Sequence, residues 1–127
     1  MSPTQRTLAK LRADGFPLVH VSEKWNPHVK IRQDAFGFVD VMAFRGNEVL
    51  AVQSTTGDNA MARFHKMKLL PTLWAWLESP TRKVEIHGWR RLVKRVNGKS
   101  WQCRIIDVMM REDPNGTRTP VAVEREA

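Results

Sequence analysis

Cysteine is almost absent from this chain. Cys103 is the one thiol among 127 residues, so no internal disulfide can form and no cysteine-based zinc site can be built. Any metal must be held by oxygen or histidine. Long apolar runs are lacking too, and no charged segment leads into an apolar one, which predicts neither a membrane span nor a signal peptide and points to a reducing cytoplasm. Acidic residues are scarce in one place. Residues 60–104 carry two of them against eleven Lys and Arg, whereas residues 1–59 carry six against seven and residues 105–127 five against three. The net charge of +8 therefore sits in the middle of the chain, the footprint of a polyanionic partner. The same section holds Trp74, Trp76, Trp89 and Trp101. Bases could stack where phosphates are neutralised, although tryptophan more often belongs to the core.

With 42% hydrophobic and 27% charged residues, the composition is that of a folded domain able to bury a core. The spacing predicts one α/β (α+β) domain over 1–110 and a flexible tail over 111–127. Ser2-Pro3 followed by Leu8, Leu11 and Gly15 reads as N-cap, first-turn proline, amphipathic helix and stop. Leu18 to Trp25 reads as a first strand ended by Asn26-Pro27, Phe36 to Phe44 as a second and Glu48 to Thr55 as a third. Asp58-Asn59 would cap a helical segment with Met61, Phe64, Leu70, Leu73, Trp74 and Leu77, broken by Pro71 into two pieces or one kinked helix. Lys83 to Val93 and Trp101 to Met110 flank Asn97-Gly98, a strong hairpin signal. Trp89, next to Gly88, reads as core beside a bulge more readily than as a stacking platform.

The first hairpin yields the candidate site. A two-residue Gly46-Asn47 turn pairs Arg45 with Glu48 and carries Asp40 opposite Gln53, with Thr55 on the same face. Met42, Phe44, Val49 and Ala51 fill the rest of that face, and Val39, Val41, Ala43, Leu50 and Val52 the other, so the hairpin is covered on both sides. A carboxylate between Val39 and Val41 is costly unless paired or bound to a cation. One reading is an ion pair with Arg32 or a solvated strand end. The other is a divalent cation on the Asp40 carboxylate, the Gln53 side-chain carbonyl and a backbone carbonyl near Ser54, completed by water, as Mg²⁺ prefers. His20, His28, His65 and His87 share no ligand spacing. Ser54 and Thr55 lack an adjacent base for acyl transfer. Gly57-Asp58-Asn59 reads as a loop and cap rather than a phosphate cradle.

Arg32-Gln33-Asp34-Ala35-Phe36-Gly37-Phe38-Val39-Asp40 and Val52-Gln53-Ser54-Thr55, in a helix, meander, helix and strands over about residues 4–108, resemble the PD-(D/E)XK nuclease superfamily. The likeness is to small phage and archaeal members similar to Holliday-junction resolvases. It implies a restriction-endonuclease-like core: a helix, a three-stranded meander, a helix and further strands, with a central mixed sheet flanked by helices. Val39-Asp40 stands in place of the Pro-Asp pair and Gln53-Ser54-Thr55 in place of Glu-x-Lys. Asp40 is then the first ligand of Mg²⁺ (or Mn²⁺), with Gln53, Ser54 and Glu23 as the other candidates. The cation missing at Thr55 would come from Lys66, on one helix face with Arg63. Gln5 is the nearest first-helix counterpart of the glutamate many relatives carry.

The activity so implied is Mg²⁺-dependent hydrolysis of DNA phosphodiester bonds, with Asp40, Gln53, Thr55 and Lys66 at the catalytic positions. Arg32, Arg63, Lys68, Arg90, Arg91, Lys94 and Arg95 would hold DNA. So small a domain has little apparatus for reading base edges, which favours selection of DNA structure. A homodimer would let two strands be reached. The alternative is a non-catalytic DNA-binding or regulatory module on the same scaffold, its site eroded at Gln53 and Thr55.

Overall fold

A computed structural model describes residues 1–96 and 98–126, and the side chains of all of these except Lys94, Arg95, Val96 and Lys99. The elements are α1 (Pro3–Ala13), β1 (Leu18–Val21), β2 (Lys24–Asn26), β3 (Ile31–Gln33), β4 (Val41–Arg45), β5 (Glu48–Thr56), a 3₁₀ turn (Gly57–Asn59), α2 (Ala60–Met67), α3 (Pro71–Trp76), β6 (Arg82–Val96), β7 (Lys99–Glu112) and β8 (Arg118–Glu124). Six strands form one mixed sheet in the order β1-β4-β5-β6-β7-β8, and β2 and β3 form a separate hairpin. Among the described residues β5 and β6 are the one parallel pair. The α+β class with a mixed central sheet flanked by helices is the one expected.

Ser2 starts α1 by accepting the Gln5 N–H on its Oγ at 3.2 Å, and Gly15 ends it at φ +92°, a conformation that costs glycine little. Leu8 and Leu11 of this helix pack with Phe16 on Val41, Ala43, Leu50 and Val52, one face of the β4–β5 hairpin. The other face is covered by α2 and α3, whose Phe64, Met67 and Leu73 join Ala51, Val84, Ile86, Ile106 and Val108. The hairpin register is the expected one, from Arg45↔Glu48 to Val41↔Val52. Among the described residues no helix is long and apolar enough to cross a membrane.

Several boundaries differ from the sequence reading. The first strand stops at Val21 because the Ser22 and Glu23 N–H groups turn onto the Asp40 carbonyl, at 2.7 and 3.3 Å, and Lys24 onward enters the β2–β3 hairpin. The second strand begins at Val41, not Phe36. Residues 35–39 form a tight turn in which Phe38 N–H meets the Ala35 carbonyl at 3.1 Å, with Phe36 at φ +57° and Gly37 at φ +86°. Val39 consequently joins the α2 side of the core rather than the face of Val41. Asn59 precedes α2, but its side chain donates to Thr56 Oγ1 at 3.0 Å and caps nothing. Pro71 gives two helices: Leu70 before it is extended, at ψ 123°, because proline disfavours a helical predecessor. Trp89 has no bulge beside it; the β6–β7 register shifts further out, between Arg91 and Val96.

The tail is the largest correction. Residues 118–124 form β8, which pairs with β7 from Glu112↔Arg118 to Ile106↔Glu124. Arg125 beyond it binds Asp107 at 2.7 Å and Glu85 at 2.9 Å. Pro120 is tolerated because β8 is an edge strand, where a missing N–H breaks no second ladder. In the second hairpin Val96 pairs with Lys99 around Gly98 at φ +75°; Asn97 lies outside the described residues.

Candidate metal centre

At the end of the sheet where β4 begins and β5 finishes, three carboxylates converge. Oxygens of Glu23, Asp34 and Asp40 lie within 4.8 Å of one another. Each arrives by a different route. Asp40 enters β4 through its own N–H, bonded to the Val52 carbonyl at 2.9 Å. Asp34 sits across the Phe36-Gly37 turn, which reverses the chain and sets residues 34 and 40 side by side. Glu23 is fixed at the root of the β2–β3 hairpin by its N–H bond to the Asp40 carbonyl. A cleft of about 630 Å³ opens over them, lined also by Arg32, Gln33, Gly37, Gln53, Ser54, Arg63 and Lys66.

Asp40 is 3% exposed. Its Oδ2 accepts the Ser54 N–H at 2.7 Å and lies 3.5 Å from Gln53 Nε2, which donates to Asp34 Oδ2 at 2.8 Å. Among the described residues Asp40 makes no ion pair; Arg32 pairs with Glu23 at 3.1 Å instead. Burial pushes the Asp40 carboxyl up to about 8, its hydrogen bond with Asp34 and the charges of Asp34 and Glu23 add to this, and the Ser54 N–H works against it. The cluster is therefore short of positive charge, which the Gln53 amide hydrogens supply only in part. Hard oxygen donors in this number and arrangement suit Mg²⁺ or Mn²⁺.

Of the residues singled out from sequence, Asp40, Gln53, Ser54, Glu23, Arg32, Arg63 and Lys66 meet in this cleft. Thr55 does not line it; it is 5% exposed and stands opposite Gly88 of β6. Lys68 lies past the end of α2, its Nζ 5.8 Å from the Phe64 ring centroid. Arg90 is bonded to Gln102 at 2.8 Å, and Arg91 lines a separate hollow with Leu92, Val93 and Ser100. The side chains of Lys94 and Arg95 lie outside the described residues. Gln5 stays exposed and out of the cleft; α1 reaches the site through Thr7, whose Oγ1 accepts the Ser54 hydroxyl at 2.8 Å and the Trp89 N–H at 2.9 Å. Thr7 is also 3.2 Å from Nδ1 of buried His87, whose Nε2 meets Glu85 at 2.9 Å. Asp34 is the residue that sequence reasoning missed. Its signal was an acid three residues before Gly37, the spacing of a reversal that returns the chain to Asp40. Compared with known proteins, the chain matches no family model, no curated protein and no solved structure.

Proposed function

We propose that this protein is a Mg²⁺-dependent endonuclease that hydrolyses DNA phosphodiester bonds in the cytoplasm. The observation that carries this reading is the meeting of Glu23, Asp34 and Asp40 with Arg32, Arg63 and Lys66 in one cleft. Acids that could hold a cation and bases that could hold a phosphate face the same space, which a purely structural ion network does not require.

Glu23, Asp34 and Asp40 would hold the ion, with Gln53 and Ser54 beside them. Bound there, Mg²⁺ supplies Lewis acidity toward a phosphoryl oxygen and a nucleophile at neutral pH. The Ser54 N–H keeps Asp40 aimed into the cleft, and the Thr7 hydroxyl fixes Ser54 from the α1 side. Lys66 and Arg63 offset the charge that gathers on the phosphoryl oxygens as the bond breaks; one such stabiliser is commonly worth about 10²- to 10³-fold in rate. Arg32 counters the phosphate backbone at the rim. β6 runs parallel to β5 and continues beyond Thr56, which carries Arg90 and Arg91 past the same end of the sheet.

The Gln53 amide between two carboxylates favours a second reading, a DNA-binding module whose site no longer needs a cation. Branched and supercoiled DNA incubated with Mg²⁺, Mn²⁺ or chelator separates the two. Nicking that requires metal and disappears in Asp40→Asn supports the nuclease. Metal-insensitive gel shifts without nicking support the module and refute the nuclease.

A further inference from the structure

One wall of the cleft is the β2–β3 hairpin, and most of what that hairpin carries faces nothing. Glu23, Arg32 and Gln33 line the cleft, yet β2 and β3 pair with no strand of the main sheet. Trp25 is 58% exposed, Val29 56% and Ile31 52%. Pairing puts Trp25 with Arg32 on one face of the hairpin and Ile31 with Asn26 on the other, so the indole is an exposed aromatic on the Arg32 face, although tryptophan is highly buried on average.

Its surroundings specify the partner. Lys24, Lys30 and Arg32 are all exposed, and the one acid of the segment, Glu23, is half-buried and already paired with Arg32. This is a cationic surface with an aromatic in it, complementary to a polyanion that also offers flat rings. Trp25 stands directly opposite Arg32 in the hairpin. Opposed residues share a face, so the indole lies on the side from which Arg32 reaches the cleft. The hairpin that carries the ring is itself pinned: Asn26 Nδ2 donates to Gln33 Oε1 at 3.1 Å, and Asn26 Oδ1 accepts the His28 N–H at 2.9 Å, which ties the two strands and the turn between them.

We infer that Trp25 is a base-stacking platform that selects DNA carrying an unstacked base beside the phosphodiester held in the cleft. The inference rests on the reading of the cleft as a phosphodiester site, since DNA seated there must pass the hairpin. Bases inside a continuous duplex have both faces covered by neighbours, so the indole engages only a strand that is single, gapped or displaced at a branch. Arg32, on the same face of the hairpin as the indole, binds the phosphate flanking that base.

The test uses the full chain without metal, so that binding is read apart from cleavage. Fluorescence anisotropy with a single-stranded oligonucleotide, a gapped duplex and an intact duplex is compared for wild type, Trp25→Ala and Trp25→Phe. Loss of one stacked base weakens binding by about five- to a hundredfold, so Trp25→Ala should lose that much on single-stranded and gapped DNA. Intact duplex should change less than about twofold, being held by charge alone, and Trp25→Phe should recover most of the loss. Equal losses on all three DNAs, or none, overturn the inference. So does a change of oligomeric state in Trp25→Ala with DNA affinity intact, which would make the exposed indole a contact between copies. Ring-dependent binding by a wild type that never nicks DNA with metal would uphold the stacking site and refute the nuclease reading.

Discussion

Replacing Asp40 by Asn should make the metal-free protein more stable, although it removes the central ligand. The carboxyl titrates near 3.8 in the unfolded chain and at about 8 in the fold, chiefly because it is buried. Between those values the folded state holds a proton that the unfolded state has released, so stability falls as pH rises through this window and levels off above pH 8. At about 1.4 kcal/mol per pH unit the ceiling of that loss is about 6 kcal/mol, and water entry and local relaxation recover part of it. Asparagine keeps an oxygen for the Ser54 N–H, now 2.7 Å from Asp40 Oδ2, offers hydrogens toward Asp34, and does not titrate. We expect Asp40→Asn to gain about 2 kcal/mol over wild type at pH 8.5 in EDTA and to match it near pH 4, since the burial cost it removes applies only to the charged form. Urea unfolding followed by tryptophan fluorescence reads this directly, and the difference between the two proteins cancels the titrating groups that do not interact with Asp40. Adding Mg²⁺ should then stabilise wild type as ln(1 + [Mg²⁺]/Kd) and leave the variant unmoved. A variant less stable than wild type at pH 8.5, or a difference that is flat with pH, would show that Asp40 is a structural acid and not one kept charged for a cation.

Three further outcomes are expected. Lys66→Ala should slow metal-dependent cleavage by roughly 10²-fold while Lys68→Ala changes it little, because Lys66 lines the cleft and Lys68 does not; equal losses in a nicking assay would mean that both contribute only to the general field. Gln53→Glu adds a carboxylate to the three already there, so calorimetry should show tighter Mn²⁺ binding and chelated protein should melt lower than wild type; unchanged affinity would place the ion elsewhere. Truncation after Asp113 removes β8 together with the Arg125 contacts to Glu85 and Asp107, and the melting temperature should drop by more than about 8 °C, corresponding to about 2 kcal/mol or more; an unmoved melting curve would return the segment to the status of a tail.

What could be read from the sequence was what is local. Ser2-Pro3, Gly46-Asn47 and the break at Pro71 each act over a few residues, and the helix start, the hairpin register and the split helix follow from them. The register in turn brought Asp40 to Gln53, and helical spacing brought Arg63 and Lys66 to one face. Other features needed the assembled molecule. Phe36-Gly37-Phe38 is as apolar as a strand, and its turn shows only in the positive φ of Phe36 and Gly37. The β2–β3 hairpin has three-residue strands, too short for alternation to register. The Arg118–Glu124 strand carries a proline that only an edge position excuses. Asp34 becomes a partner of Asp40 only once that apolar turn is known.

The parallel pairing of β5 with β6 governs when the cleft comes into being. Neighbouring hairpins close over short loops, but Val49 can meet Arg82 only after the intervening crossover, α2 included, has packed across the sheet. That non-local closure carries an entropic cost that the short-looped hairpins do not. Arg63 and Lys66 ride on the crossover, so the basic side of the cleft exists only while α2 stays packed on the sheet. A ligand bridging the acidic residues to α2 would accordingly bind only while the crossover is packed, and would stabilise that packed state by RT ln(1 + [L]/Kd).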